Sequence, residues 1–313
     1  MDTLAVVVER PEHLTLRHLP LSPPRQDEVV VDVEWSGIST GTERLLWSGR
    51  MPPFPGMGYP LVPGYESVGR VSAAGERSQA RIGERVFVPG ARCFGEVRGL
   101  FGGAAERLVV QADRALSIDE RLGEQGILLA LAATAWHVTS RAGAQPPELI
   151  VGHGVLGRLL ARLTLASGAP APVVWESNPA RRGGTAGYNA IDPADDPRRD
   201  YRTVCDVSGD VRILDTLIGR LAPGGEVVLA GFYGDRLSFD FPAAFLREAR
   251  IRIAAEWRDG DLRAVKALIE DGRLSLDGLI SHRQSARRAE QAYRTAFDDP
   301  ACLKMVLDWR ECP

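Results

Sequence analysis

Val151-Gly152-His153-Gly154-Val155-Leu156-Gly157 lies near the middle of the 313-residue chain. The apolar run Leu149-Ile150-Val151 leads into it, as expected of a buried parallel strand. Residues 158–166 then carry apolar side chains at helical spacing, and Ser167-Gly168 ends that predicted helix. The stretch therefore predicts a strand, a glycine turn and a helix in direct succession.

A G-x-G-x-x-G turn in this setting has a mechanical meaning. Gly152 permits the tight turn, Gly154 lets a pyrophosphate approach the backbone, and Gly157 lets the helix pack closely on the strand. The helix N-terminus offers backbone N–H groups and a positive dipole end to the phosphates. The predicted nucleotide contacts in this turn are Gly152, His153, Gly154, Val155, Leu156 and Gly157.

A carboxylate follows the next predicted strand. Val173-Val174-Trp175 reads as that strand, and Glu176 and Ser177 come directly after it. The distance of Glu176 from the glycine turn is close to the ~20 residues typical of the acid that binds an adenosine ribose. A carboxylate there accepts hydrogen bonds from the ribose hydroxyls and repels a 2′-phosphate, which favours NAD over NADP.

Three alternatives stay open at this point. Arg181 and Arg182 follow closely and are suited to a 2′-phosphate, which would make NADP the cofactor. A glycine turn also occurs without any ligand. An S-adenosylmethionine-dependent methyltransferase uses a similar turn and carboxylate, but usually near the start of its domain, whereas this turn begins at residue 152.

Composition excludes several classes of protein. The chain is 44% hydrophobic and 25% charged, which requires no disorder, and its net charge of −3 comes without any basic block for nucleic acid. The longest apolar run, Ile127 to Trp136, has about half the length needed to span a bilayer. We expect no nucleic-acid partner and no membrane span.

Cysteine usage and the N-terminus indicate a compartment. Cys93, Cys205, Cys302 and Cys312 are far apart and form no C-x-x-C motif, as in a protein with reduced thiols. The first residues lead straight into a predicted strand without a signal-peptide pattern. We expect a cytoplasmic protein.

The sequence pattern changes character twice. Residues 1–120 show short strands and turns, with Val29, Val31, Val33 and Trp35 alternating against polar residues, which predicts a small β-barrel. Residues 121–256 alternate strands and helices, which predicts a doubly wound parallel sheet. Residues 257–313 are not needed to complete that sheet, so we expect them to return to the first domain.

These features together resemble the medium-chain dehydrogenase/reductase superfamily, whose members join a GroES-like β-barrel catalytic domain to a Rossmann nucleotide domain of the α/β class. The resemblance covers almost the whole chain. The segments that carry it are residues 36–43, 62–69, 82–86, 133–137, 221–225 and 304–307.

The departures from that family concern zinc. Zinc-dependent members carry a cysteine where this chain has Thr40 (or Ser39, one residue earlier), and a histidine where it has Tyr65. They also carry a four-cysteine lobe, which the region around Cys93 lacks. A zinc site needs three or four thiolate, imidazole or carboxylate ligands. The resemblance thus implies hydride transfer without zinc and no metal ligands.

A closer similarity concerns residues 37–43, 51–57, 64–66 and 152–154. These segments are similar to a family of dehydrogenases of bacteriochlorophyll a biosynthesis. That similarity implies a tetrapyrrole substrate, bacteriochlorophyllide, whose 3-(1-hydroxyethyl) group is oxidised to 3-acetyl by NAD. Alternatives are a zinc-independent NADPH-dependent quinone or enone reductase and a non-catalytic dinucleotide-binding protein. A homo-oligomer is possible.

The same resemblance selects catalytic candidates. Tyr65 takes the place of a metal ligand, so its phenol is the first candidate for contact with the substrate oxygen, and a nearby oxidised nicotinamide would favour its phenolate. Thr42 matches a relay hydroxyl and Thr40 is the adjacent alternative for that role, while Glu66 is placed to accept a proton or orient Tyr65. Alternatively, Tyr65 only fills space, the threonines cap a helix at Glu43, and Glu66 forms a salt bridge.

Further contacts are expected around both ligands. The imidazole of His153 is predicted to touch the pyrophosphate or shuttle a proton. Alternatively, it faces solvent and the backbone N–H of His153 does the binding. Ser208, Gly231 and Phe232 follow predicted strands, at the sheet edge where ligands bind in such folds.

The loop between Trp47 and Pro60 is rich in Pro, Gly, Met and aromatic residues, which suits a flat apolar macrocycle. An ordinary hydrophobic loop or a subunit contact would show the same composition. The candidate substrate contacts in it are Arg50, Met51, Phe54 and Met57.

Overall fold

The computed structural model describes residues 1–53, 55–141 and 143–312. The chain divides into two compact units, which are described separately. The first comprises Met1–Ala130 and Leu279–Pro313, and the second comprises Leu131–Gly278.

The first unit is dominated by short strands, as the alternating sequence predicts. Helix α1 (Thr42–Trp47) follows the third strand. The strands are β1 (Asp2–Arg10), β2 (His13–Pro20), β3 (Glu28–Ile38), β4 (Leu61–Val62), β5 (Ser67–Ala74), β6 (Arg85–Val88), β7 (Arg98–Gly99), β8 (Arg107–Gln111) and β9 (Leu116–Ser117). β1 pairs antiparallel with β2 in a four-stranded sheet of order β2-β1-β4-β7.

Strand β3 lies at the centre of this unit because it pairs with several other strands. One of its faces is strongly apolar. Val29 and Val31 are fully buried and Val33 nearly so, as predicted, but Val30 on the opposite face is also buried and Trp35 only partly so. β3 pairs antiparallel with both β5 and β8, and shifts of register against β5 follow Val30 and Val33. Such bulges bend a strand and tighten the curvature of a sheet.

The second unit contains the predicted doubly wound sheet. Its strands, all parallel, have the order β12-β11-β10-β13-β14-β15. The strands are β10 (Leu149–Val151), β11 (Val173–Trp175), β12 (Asn189–Ile191), β13 (Tyr201–Asp206), β14 (Leu221–Leu229) and β15 (Arg250–Ile253). The helices are α2 (Leu129–Ser140), α3 (Val155–Ala166), α4 (Leu214–Arg220), α5 (Phe241–Leu246) and α6 (Asp259–Glu270).

The end of the chain returns to the first unit. It forms β16 (His282–Ser285), α7 (Ala289–Asp298) and β17 (Met305–Asp308). β17 pairs antiparallel with β3, so that Met305 faces Ile38. The buried indole N–H of Trp309 donates to Ser36 Oγ at 2.8 Å, which fastens the end of the chain to β3.

The β-rich first unit and the doubly wound parallel sheet of the second unit agree with the fold class that the sequence predicts. The compact units divide at 130/131 and 278/279, whereas the sequence suggests limits at 120/121 and 256/257. Helix α6 lies in the second unit, where Asp261 contacts His137 Nδ1 at 2.8 Å.

Two further observations concern the described part of the chain. No helix there is both long and apolar enough to cross a membrane. No disulfide joins the four cysteines, three of which are buried and one of which, Cys93, is partly exposed.

Candidate active site

The glycine turn after β10 has the geometry that dinucleotide binding requires. Gly152 has φ +102°, in the region that favours glycine. A Cβ on Gly157 would lie 1.9 Å from the carbonyl oxygen of Gly152, so helix and turn touch there. A Cβ on Gly154, the N-cap of α3, would meet no atom within 4 Å. Gly154 therefore leaves the helix N-terminus open to a phosphate.

The remaining residues of the turn begin helix α3. Val155 is buried and Leu156 is partly exposed, and both lie in the first turn, whose backbone N–H groups have no partner within the helix. The turn lies at the carboxyl end of β10, which stands between β11 and β13 in the sheet. The strand order reverses at this position, and ligands bind beside such a switch point.

Glu176 follows β11 and is held by its own neighbours. Its carboxylate accepts the backbone N–H of His153 at 3.2 Å and of Asn178 at 2.8 Å. Ser177 is exposed, and its carbonyl accepts from Arg182 at 3.0 Å. Arg182 also forms an ion pair with Asp192 and donates to the carbonyl of Glu176. The guanidinium of Arg182 is therefore already engaged by other groups of the protein.

The structure corrects both expectations for the ring of His153. The residue is fully buried, with Nδ1 2.7 Å from the carbonyl of Arg181 and Nε2 2.8 Å from the hydroxyl of Tyr188. Burial lowers the pKa of His153, and the nearby charge of Arg158 adds to that effect. The neutral ring thus donates from Nδ1 and accepts at Nε2. Because the loop at Arg181 closes over the turn, the ring neither faces solvent nor is free to bind phosphate.

The other predicted nucleotide contacts lie at carboxyl ends of strands. Ser208 follows β13 and donates its backbone N–H to Asp206 at 2.9 Å. Gly231 and Phe232 follow β14, and Phe232 is half exposed. A Cβ on Gly152 would lie 3.2 Å from Ser208, so this segment borders the glycine turn.

In the first unit, a cluster of hydroxyls forms around Tyr65. The phenol donates to Ser39 Oγ at 2.7 Å and also shares a hydrogen bond with Thr42. Its ring packs edge-on against Phe101, with centroids 5.5 Å apart. Thr42 is half-buried, whereas Thr40 is exposed. Of the two candidates for the position of the family's cysteine, it is Ser39 that contacts Tyr65.

Two buried carboxylates lie behind this cluster. Glu43 accepts from Tyr293 Oη at 2.6 Å and from the N–H of Ser39 at 2.9 Å. Glu66 forms an ion pair with Lys304, and these three charged side chains are at most 2% exposed. The expected salt bridge of Glu66 is therefore present, and its partner comes from the distant end of the chain.

Burial changes the acidity of these groups. It raises the pKa of Glu43 to about 7, and the nearby charge of Glu66 adds to the effect. Burial also raises the pKa of Tyr65 well above its ordinary value, with further increases from Glu66 and Glu43. A phenolate at Tyr65 is therefore disfavoured by two neighbouring carboxylates. The structure supports a neutral phenol that donates and accepts hydrogen bonds.

The loop proposed for the substrate is only partly exposed. Met51 is 6% exposed and belongs to the hydrophobic core of the first unit, and Met57 packs against that core. Arg50 is exposed, and its Nε donates to Ser48 Oγ at 3.1 Å. Phe54 lies outside the described residues. The burial of Met51 and the packing of the partly buried Met57 favour the alternative of an ordinary hydrophobic loop.

Sequence reasoning missed four members of the site. The sequence marks Ser39 only as a replaced metal ligand and Glu43 only as part of a capped helix. It marks Lys304 only as part of a segment of the family resemblance, and it does not mark Tyr293. A lysine beside an apolar strand was a usable signal for Lys304, since buried cations need a partner. Within the described ranges, no three or more His, Cys, Asp or Glu side chains are grouped to hold a metal ion.

Comparison with known proteins identifies the family. The alcohol dehydrogenase GroES-like domain matches residues 25–120. The 2-desacetyl-2-hydroxyethyl bacteriochlorophyllide A dehydrogenases of Rhodobacter capsulatus and Cereibacter sphaeroides are 56% and 55% identical to this chain, over 99% of each sequence. The chain belongs to this family of dehydrogenases. It is thus an oxidoreductase of the alcohol dehydrogenase type, and the resemblance to the medium-chain superfamily is confirmed.

Solved structures agree with the fold. The alcohol dehydrogenase of Escherichia coli CFT073, complexed with NADH, superposes with a TM-score of 0.82 at 22% identity and covers 98% of this chain and 99% of its own. The 2R,3R-butanediol dehydrogenase of Bacillus subtilis gives 0.83 at 19% identity, with coverage of 98% and 99%. At this level of identity the match establishes the fold alone.

Two glycine variants separate nucleotide binding from folding. Gly154→Ala adds a methyl group that meets no protein atom within 4 Å, so its melting temperature should stay within about 2 °C of wild type. NADH affinity should fall by about tenfold or more, since the methyl group occupies the phosphate approach. Gly157→Ala should instead lower the melting temperature by several degrees, because its Cβ overlaps the Gly152 carbonyl. Equal NADH titrations for wild type and Gly154→Ala would contradict the assignment.

The acidity of Glu43 predicts a pH-dependent stability. A carboxyl with a folded-state pKa of about 7 and an ordinary unfolded value of 4.5 stabilises the fold below pH 4.5, and this advantage is lost as pH rises to 7. Relative to wild type, Glu43→Gln should therefore gain up to about 3 kcal/mol in unfolding free energy between pH 5 and pH 8. Denaturant unfolding of both proteins measures this difference. A difference that does not change with pH would show that Glu43 ionises normally.

Proposed function

We propose that this protein oxidises the 3-(1-hydroxyethyl) group of bacteriochlorophyllide to 3-acetyl, with NAD as hydride acceptor and without zinc. The observation that carries the proposal is full-length identity of 56% and 55% to two dehydrogenases named for this substrate. The match covers both units, so it includes the glycine turn and the Tyr65 cluster.

A nicotinamide dinucleotide fits the residues of the second unit. The open face of Gly154 and the start of α3 suit the pyrophosphate, and Glu176 suits the adenosine ribose. The preference for NAD rests on two features. Glu176 carries a negative charge where NADP would place its 2′-phosphate, and Arg182 is already engaged by Asp192. When bound, the nicotinamide supplies the acceptor for a hydride.

Tyr65 and Thr42 are the groups of the first unit proposed to handle the alcohol oxygen. Tyr65 stays neutral because burial and two carboxylates oppose its ionisation, so it binds the oxygen through hydrogen bonds rather than as a fixed anion. Thr42 bonds to Tyr65 and is half-buried, which suits a hydroxyl that passes a proton outward. Ser39 and Tyr65 stand where zinc-dependent relatives have cysteine and histidine. Neither serine nor tyrosine is a usual zinc ligand.

The direct test is turnover of 3-hydroxyethyl bacteriochlorophyllide with NAD⁺, followed by the absorption change that a conjugated acetyl group produces. Wild type should turn over with NAD⁺ at least about tenfold more efficiently than with NADP⁺, a difference of ~1.4 kcal/mol. Tyr65→Phe and Thr42→Val should each lower kcat by about 10²-fold or more, the usual range for a proton-transfer group. Thr40→Val, at an exposed position, is the matched control and should remain near wild type.

Three results would contradict the proposal in different ways. Near-normal rates for Tyr65→Phe and Thr42→Val would remove the catalytic assignment. A preference for NADPH, with reduction of quinones or enones, would favour the reductase alternative. Dinucleotide binding without any turnover of the pigment would favour a non-catalytic protein.

A homo-oligomer formed through the edge of the parallel sheet is part of the proposal. β15 is the last strand of that sheet, and Ile253 on it is 61% exposed. Phe241, Phe245 and Leu246 on α5 are at least 67% exposed. An edge strand with apolar side chains pairs readily with a second copy of itself.

Ile253→Lys tests the oligomer. A charge on the edge strand opposes pairing, so light scattering should report a shift from about twice the chain mass to the chain mass, with little change in melting temperature. Ile251→Val, which keeps the edge apolar, is the control. A monomeric wild type would contradict the proposal.

A further inference from the structure

The connection between β11 and β12 lacks the helix that usually joins parallel strands. The structure describes all of residues 177–188, which form this connection, and their only regular element is the short turn Pro179–Arg181. Gly183, Gly184 and Gly187 follow, so the backbone has little stiffness of its own. Contacts with other parts of the protein must therefore hold this segment, which we call the β11–β12 loop.

The ring of His153 holds the loop from the glycine turn. Its Nδ1 lies 2.7 Å from the carbonyl oxygen of Arg181, and because a carbonyl only accepts, Nδ1 carries the ring proton. Nε2 then accepts from the hydroxyl of Tyr188 at 2.8 Å. The rings of His153 and Tyr188 pack edge-on with centroids 5.6 Å apart, and both residues are at most 5% exposed. One buried imidazole thus contacts the middle and the end of the loop.

Arg158 on α3 adds to this attachment. Its Nη2 donates to the carbonyl of Arg181 at 2.9 Å and its Nε to the carbonyl of His153 at 3.2 Å, while Nη1 lies 3.4 Å from the carbonyl of Gly184. Arg158 is 7% exposed. Within the described part of the chain its hydrogen bonds all go to backbone carbonyls. A buried cation without a carboxylate partner is costly, so we expect Arg158 to have a role beyond stabilising the fold.

Glu176 stands between the glycine turn and the loop. It follows β11 directly, and its carboxylate accepts the backbone N–H of His153 at 3.2 Å and of Asn178 at 2.8 Å. One of these donors belongs to the glycine turn and the other to the loop. The carboxylate therefore keeps its place only while turn and loop keep theirs. We call His153 and Arg158, which join the two, the loop clamp.

The engagement of Arg182 depends on the same attachment. Its Nε donates to the carbonyl of Glu176 at 2.7 Å, its Nη2 donates to the carbonyl of Ser177 at 3.0 Å, and it forms an ion pair with Asp192. These partners lie at the start of the loop and just after β12. Displacement of the loop would release a guanidinium that is suited to a 2′-phosphate.

We propose that the loop clamp, His153 and Arg158, determines the preference for NAD over NADP. It does so by fastening the β11–β12 loop to the glycine turn, with Glu176 in place and Arg182 engaged. The inference rests on the proposed function, which puts the adenosine ribose at Glu176. Neither residue of the clamp touches the reacting atoms, so both are positioning residues.

The clamp changes the ratio of two affinities rather than both affinities alike. With the loop displaced, NAD loses the hydrogen bonds between its ribose hydroxyls and a fixed carboxylate. NADP instead loses the repulsion of its 2′-phosphate and gains a free guanidinium. A residue with only a structural role would weaken both nucleotides by the same factor.

Two amide variants of His153 isolate the hydrogen bond to Arg181. His153→Asn keeps an N–H at the position of Nδ1, whereas His153→Gln places its amide near Nε2 and loses that donor. NADH and NADPH dissociation constants are measured by fluorescence titration of the full-length protein without substrate. Wild type should bind NADH at least about tenfold more tightly than NADPH, and His153→Asn should keep this ratio within about threefold. His153→Gln should bind NADH about tenfold more weakly and NADPH no more weakly, so that the ratio falls towards one.

Arg158 has a matched control on the same helix. Arg162 is also held by backbone carbonyls, those of Ser275 and Asp277 at 2.8 Å each, but these lie outside the β11–β12 loop. Arg158→Met should lower the ratio of NADH to NADPH affinity by about tenfold. Arg162→Met should leave that ratio at the wild-type value, although both variants lose hydrogen bonds and should lower the melting temperature.

Limited proteolysis measures the position of the loop independently of nucleotide. Trypsin cleaves after Arg181 and Arg182, and an attached loop resists cleavage. Mass spectrometry should show cleavage at these sites about tenfold or more faster in His153→Gln and Arg158→Met than in wild type. His153→Asn and Arg162→Met should be cleaved at the wild-type rate.

The outcomes separate the clamp from the proposed function. Folded His153→Gln and Arg158→Met proteins with the wild-type affinity ratio would overturn the clamp, as would equal weakening of both nucleotides or unchanged cleavage. In each of these cases the wild-type preference for NADH leaves the proposed function standing. A wild type that prefers NADPH would instead remove the NAD preference and this inference together. If His153→Gln does not fold, the comparison of Arg158→Met with Arg162→Met decides alone.

Discussion

The buried ion pair between Lys304 and Glu66 is the constraint on which the first unit depends. Lys304 precedes β17, Glu66 precedes β5, and the ammonium also contacts the carbonyl of Ile38 at the end of β3. One cation thus fixes three chain segments around Tyr65. A Cβ at residue 37 would lie 2.1 Å from Glu66 Oε2, so any larger residue than Gly37 would displace the carboxylate from its ion pair. Removing either partner would leave an unpaired buried charge, which costs several kcal/mol.

The ion pair between Lys304 and Glu66 also affects the acidity of the groups nearby. With Lys304 committed to Glu66, Glu43 is left with hydroxyl and amide partners, and its burial raises its pKa to about 7. Burial of the phenol, together with the charges of Glu66 and Glu43, raises the pKa of Tyr65 and keeps it neutral. Under the proposed function, the hydroxyls of Tyr65 and Thr42 bind the alcohol oxygen in the place where zinc-dependent relatives use a metal ion.

Local patterns predicted the fold, and distant contacts defined the site. The glycine turn, the parallel strands and the return of the chain end follow from periodicity and turn residues within short windows. The partners of Glu43 and Glu66 lie 250 and 238 residues away, and no local period encodes such pairs. The burial of His153 is not predictable locally for the same reason, because it depends on a loop that contacts the ring only after folding. The sequence leaves open whether Ser39 or Thr40 takes the position of the family's cysteine. The hydrogen bond from Tyr65 to Ser39 Oγ identifies Ser39.

Metal content in fully active protein tests the central claim most directly, namely that hydroxyls and a buried charge cluster replace a metal in this family's fold. Plasma mass spectrometry and turnover of 3-hydroxyethyl bacteriochlorophyllide would be measured on the same sample, before and after dialysis against a chelator. The account predicts substoichiometric zinc, about 0.1 per chain or less, against the one ion a catalytic zinc site holds, with turnover unchanged by dialysis. One zinc per chain, lost together with activity and restored together with it, would contradict the account.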